Sequence, residues 1–123
     1  MRIRPEKVAH LMRREVADIL ETRLRDPRLT TTVTVTDVQV THDLSFARIY
    51  VTMMGEREAR AAGMSALQHA AGFVRRELGD RLGLREVPEV RFLYDESLDH
   101  GQRVEELLKK LERGEKVEDE ETE

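Results

Sequence analysis

Residues Ala47, Ile49, Val51 and Met53 alternate with Arg48, Tyr50 and Thr52. Successive side chains of a strand point to opposite faces, so this run reads as a strand with one buried side and one wet side. A half-buried strand needs neighbours. Thr30 to Thr41, almost wholly Thr, Val, Asp and Gln, supplies the first: its valines alternate at Val33 and Val35 and change phase to Val38 and Val40. Such a phase change predicts a bulge near Asp37. With the polar turn Thr41-His42-Asp43 between them, the two runs predict an antiparallel hairpin. A third strand must join it, because two strands are rarely stable alone. Glu89-Val90-Arg91-Phe92-Leu93-Tyr94, after the Gly83 to Pro88 loop, is that strand.

The cover for such a sheet is written at helical spacing. Val8, Leu11, Met12, Val16, Ile19, Leu20 and Leu24 recur three or four apart. That predicts a helix from Pro5 to about Arg25, stopped at Asp26-Pro27, since the residue before proline is pushed out of the helical region. A second pattern, Met64, Leu67, Ala71, Val74, Leu78 and Leu82, predicts a helix from Glu56 to about Leu82. It contains Gly63, Gly72 and Gly79, and one glycine inside a helix costs about 1 kcal/mol relative to alanine. Three are tolerated only if some mark a bend, an end or a close approach, and periodicity does not say which. A last helix, capped by Ser97, carries Leu98, Val104, Leu107, Leu108 and Leu111, with Gly114 as its stop. Covering its own sheet is the commoner use of that stripe, and docking on a partner the rarer one.

Composition narrows the chemistry. With 123 residues, 39% of them hydrophobic, there is room for one compact domain, and no apolar run is long enough to span a bilayer. The absence of cysteine removes disulfides, thiolate metal sites and cysteine nucleophiles at once, and fits a reducing cytoplasm. His10, His42, His69 and His100 lie one to an element, without metal-ligand spacing, and there is no G-x-S-x-G or phosphate-binding loop. No catalytic residue, metal or cofactor is expected. The net charge of −4 is uneven. Glu115 to Glu123 hold six acids against one lysine, whereas Met1 to Arg28 carry eight bases against five acids. A basic face beside an acidic tail suits phosphate binding, and a solvated surface is its plainer meaning.

Helix, strand, strand, interrupted helix, strand, helix, tail is an α+β order that matches the type II KH-like arrangement. Several segments then agree in order and spacing with one family: Arg4-Pro5, Asp26-Pro27-Arg28-Leu29, Asp43-Leu44-Ser45-Phe46-Ala47, Ala70-Ala71-Gly72-Phe73-Val74-Arg75-Arg76-Glu77-Leu78, Pro88 to Phe92 and Tyr94-Asp95-Glu96-Ser97. The chain resembles bacterial ribosome-binding factor A over nearly its whole length. The resemblance implies a KH-like domain over residues 1–112, a three-stranded sheet covered by helices, and an acidic disordered tail over 113–123. It also implies a helix-kink-helix at Ala70-Ala71-Gly72 in place of the GXXG clamp, which this chain lacks. The implied partners are the free small ribosomal subunit and its ribosomal RNA, including the terminal helices. No membrane and no catalysis are involved, and the chain is expected to act as a monomer. Lys7, Arg13 and Arg14 of the first helix, and Arg75, Arg76, Arg81 and Arg85 beyond the kink, are the expected RNA contacts. Arginines on the wet side of an amphipathic helix also serve simply as solvated surface.

Overall fold

A computed structural model describes residues 4–30 and 32–97, together with 108, 111, 112 and 114. Helix α1 (Pro5–Thr22) starts with Pro5 in its first turn, where a missing N–H costs nothing. It buries Val8, Met12, Val16, Ile19 and Leu20. Full burial of a side chain of this size is worth about 1.5–3 kcal/mol, so this stripe is what holds the helix to the domain. The helix ends at Thr22, three residues before the expected limit. Leu24 already lies beyond the cap, where its N–H still reaches back to the Ile19 carbonyl at 3.2 Å.

The loop that follows is held by its own charges. Arg28 donates through Nε to Asp26 Oδ1 at 3.0 Å and through NH2 to Oδ2 at 2.7 Å. This fork keeps the Asp26 carboxyl well below its ordinary range, at about 2. Arg28 also lies 3.2 Å from Ser65 Oγ and 3.3 Å from His69 Nδ1, tying the loop to the second helix.

Strands β1 (Val33–Val40) and β2 (Phe46–Met53) form the antiparallel hairpin, and their register shifts between Val35 and Asp37, where the change of valine phase predicted a bulge. Strand β3 (Glu89–Tyr94) pairs with β2 in parallel, giving a mixed sheet of order β1-β2-β3. Asp95, just past β3, fastens the far side of the bulge: Thr36 Oγ1 donates to its carboxylate at 2.6 Å. The same carboxylate accepts from the Ser97 amide at 3.0 Å and from the Ser97 hydroxyl. Asp95 is therefore the capping residue that sequence assigned to Ser97, which already lies inside the turn it was expected to cap.

Helix α2 (Arg57–Leu82) runs as one element from the Glu56 N-cap to Gly83, whose left-handed backbone (φ 62°) closes it. Ala70, Ala71 and Gly72, where the helix-kink-helix is expected, are all helical and lie within this one element. Two side chains stitch α2 to the third strand and its approach. Gln68 Nε2 donates to the Phe92 carbonyl at 2.9 Å, and Arg75 donates to the Val87 carbonyl from Nε at 3.1 Å and from NH2 at 2.8 Å. These bonds satisfy carbonyls that a sheet edge would otherwise leave open.

Helix α1 packs against β1 and α2 against β3, both on the face carrying Ala47, Ile49 and Val51. Met12, Val16, Ile19, Ile49, Leu67, Val74, Leu78 and Phe92 form the closed core between the layers. The opposite face of the sheet has no described helix over it. Of the expected C-terminal stripe, Leu98, Val104 and Leu107 lie outside the described residues. Leu108 and Leu111 are helical but 53% and 58% exposed, so these two do not cover the sheet as expected.

Candidate nucleic-acid interface

Three glycines inside one helix demand three reasons, and the structure gives two of them. A Cβ at Gly63 would collide with the Met53 side chain, and one at Gly79 would lie 2.7 Å from Val87 Cγ2. Both glycines let α2 sit close to the sheet and to the loop before β3. A Cβ at Gly72 would meet nothing within 4 Å. Gly72 is exposed, its neighbour Ala71 half-buried and Ala70 buried, so the small residues step from the core out to solvent over one turn. Among the described residues no close neighbour accounts for the loss of helix propensity at Gly72.

One turn further along, Arg75, Arg76 and Arg85 line an open cleft of about 600 Å³ with Asp43, Leu44, Ser45, Glu86 and Val87. Arg75 is fixed there by its two bonds to Val87. Among the described residues neither Arg76 nor Arg85 forms an ion pair. The opposite wall is the β1–β2 turn, which sequence recognised only as polar. Asp43 accepts from Thr41 Oγ1 at 2.9 Å, from the Ser45 amide at 3.1 Å and from Ser45 Oγ at 2.6 Å. The Ser45 bonds, with Thr41 behind them, hold the Asp43 carboxyl down at about 2. They also hold Leu44 at φ 63°, a left-handed conformation that a leucine seldom adopts unaided. The turn is thus a rigid wall, and the Asp-x-Ser spacing was its sequence signal.

The remaining expected contacts divide. Lys7, Arg13 and Arg14 are exposed on α1. Arg13 lines a separate cleft of about 420 Å³ against β1, with Pro5, Glu6, His10 and Gln39 among its neighbours. Arg81 is not available in the same way. Its NH1 lies 2.6 Å from Asp18 and 3.3 Å from Glu15 of α1, and its NH2 lies 3.7 Å from Glu77. Arg81 joins the two helices, with Arg23 reaching the same Glu77 at 3.4 Å. Among the described residues no three His, Cys, Asp or Glu side chains converge on a point that could hold a metal ion.

Two helices on one face of a β1-β2-β3 mixed sheet, with an Ala-Ala-Gly step where a glycine clamp would stand, define a KH-like α+β domain with a basic cleft beside that step. The family model described as Ribosome-binding factor A matches residues 4–108, and the chain belongs to that family. It is 46% identical over 108 residues to the ribosome-binding factor A of Desulforamulus reducens, covering 88% of this chain and 89% of that one. With the Staphylococcus saprophyticus factor it shares 41% over 111 residues, covering 90% and 96%. The crystal structure of the Thermus thermophilus factor superposes with a TM-score of 0.63 at 28% identity, covering 73% of this chain and 94% of that one. A homology model of the Thermus thermophilus factor, fitted into a cryo-EM map of its 30S complex, gives a TM-score of 0.60 at 30% identity, covering 72% and 96%.

Proposed function

We propose that this protein binds the free small (30S) ribosomal subunit and its 16S ribosomal RNA in the cytoplasm, as a monomer, and assists late maturation of the subunit without catalysing a reaction. The observation that carries the proposal is Gly72: an exposed helix glycine with no close neighbour among the described residues, one turn before Arg75 and Arg76, which line a cleft with Arg85, in a chain of the ribosome-binding factor A family. A missing Cβ lets an RNA backbone come close to the helix, and the arginines meet its phosphates. The cleft is one wall of helix and one wall of rigid turn, a shape suited to a folded RNA. A 30S complex formed by a structural neighbour supports the choice of partner. A protein that binds one RNA conformer more tightly than another shifts the population toward it, by no more than the difference in affinity. That is assistance without chemistry.

Co-sedimentation with free small subunits, mature ribosomes and naked 16S RNA across a salt series tests the proposal. Preference for the free subunit is the expected result. Arg76→Ala with Arg85→Ala should weaken binding and reduce the salt slope by about one for each phosphate no longer neutralised. Equal binding to mature ribosomes, or an unchanged slope in the double variant, would remove the partner or the cleft respectively. A second reading, a protein-docking helix, rests on the exposure of Leu108 and Leu111. Binding that survives complete nuclease digestion of the RNA would favour it.

A further inference from the structure

The wet half of the β2 alternation is an unusual surface. On the face of the sheet away from α1 and α2 stand Phe46, Arg48, Tyr50 and Thr52 of β2, with Glu89, Arg91 and Leu93 of β3. Register sets Arg48 directly beside Arg91 and Tyr50 beside Leu93. Phe46 is 37% exposed and Leu93 38%, and the Arg91 guanidinium lies 5.3 Å from the centre of the Phe46 ring.

Like charges side by side on a sheet oppose its pairing. Among the described residues neither Arg48 nor Arg91 has an ion-pair partner to offset this. Asp37 of β1, paired with Tyr50, is occupied by the Val38 amide at 2.9 Å and by Gln39 Nε2 at 3.4 Å, and among the described residues Glu89 forms no ion pair. What complements two adjacent guanidinium groups flanked by the exposed Phe46 ring and the half-buried Tyr50 ring is an anion that carries flat π-faces. A nucleic-acid duplex hides its base faces; an unpaired strand offers phosphates and bases together.

We infer that the face of the sheet away from α1 and α2 is a second RNA-binding surface, specific for single-stranded RNA. A base stacks on the Phe46–Arg91 pair, Tyr50 and Leu93 offer the next platform along the strands, and Arg48 and Arg91 neutralise the phosphates between. The inference stands on this face alone and does not require the α2 cleft.

Fluorescence anisotropy of the full-length protein with a labelled oligouridylate, which has little stacking of its own to lose, and with a duplex of equal length tests it. The single strand should bind more tightly than the duplex. Phe46→Leu, which keeps an apolar side chain but no π-face, should weaken single-strand binding about tenfold, and Phe46→Trp should restore it. Arg48→Gln with Arg91→Gln should weaken it and flatten its salt dependence. Arg76→Ala with Arg85→Ala should leave the Phe46 effect intact, so loss at the sheet and loss at the cleft are read separately. Circular dichroism establishes that each variant is folded. Wild-type affinity in folded Phe46→Leu and in the folded double variant Arg48→Gln with Arg91→Gln overturns the inference. So does a concentration-dependent dimer, seen in sedimentation velocity, that Phe46→Leu abolishes, since the face would then be covered by a second copy of the chain.

Discussion

At the scale of single residues, Gly72 and Gly79 have the same identity in the same helix and opposite expected behaviour. Gly72→Ala adds a Cβ into open space and removes the flexibility of glycine from the unfolded chain, so it should stabilise the protein by about 1 kcal/mol. The same change should weaken binding to the small subunit, and a gain in urea midpoint paired with a loss in co-sedimentation is the result to look for. Gly79→Ala meets Val87 at 2.7 Å and should be about 1–3 kcal/mol less stable than Gly72→Ala. Asp26 and Asp43 make a second residue-level prediction. Both carboxyls are lowered from 3.8 to about 2, so the unfolded chain takes up protons first as pH falls. Their stabilisation is complete above about pH 4 and is lost as pH drops through about 2. Urea titrations across that window should show a shallower acid limb for Asp26→Asn with Asp43→Asn than for the wild type.

Between elements, the joining contact is the Arg81 network, and it separates arginines that hold the fold from arginines that face outward. Arg81→Met should lower the unfolding midpoint, more at low salt than at high, because its partners Glu15 and Asp18 are only partly shielded from water. It should leave the salt slope of RNA binding where it was. Thermal scans and binding isotherms at two ionic strengths check both halves. Sequence could not sort these arginines, since Arg76 and Arg81 both fall on the polar side of an amphipathic pattern. Which of them meets Glu15 depends on how α1 and α2 lie together, a long-range fact with no local signature. The same applies to the cap after β3: Asp95 and Ser97 are both capping residue types, and the tie between Asp95 and Thr36 across the sheet decides between them. The strands were far more legible. The alternation of β2, the bulge before Asp37 and the limits of β3 all follow from which side chains must be buried, and burial is imposed residue by residue.

For the molecule as a whole, the KH-like layout was readable because hydrophobic period changes from helix to strand and back at each boundary. The part played by Gly72 was not, because glycine in a helix reports a cost without its cause. The order of elements also led to helices covering one face of the sheet, and the exposed half of β2 was in view from the start. The mixed sheet has one further consequence, in time rather than space. β2 meets β1 across a short turn, but it meets β3 only after α2 has been threaded between them, and such distant pairings are slow to close. Turn variants such as Asp43→Ala should therefore slow folding, whereas Phe92→Leu in β3 should chiefly speed unfolding. Stopped-flow chevrons would separate the two arms. A chain emerging from synthesis would hold its hairpin early and gain its last strand only when nearly all of the domain is free.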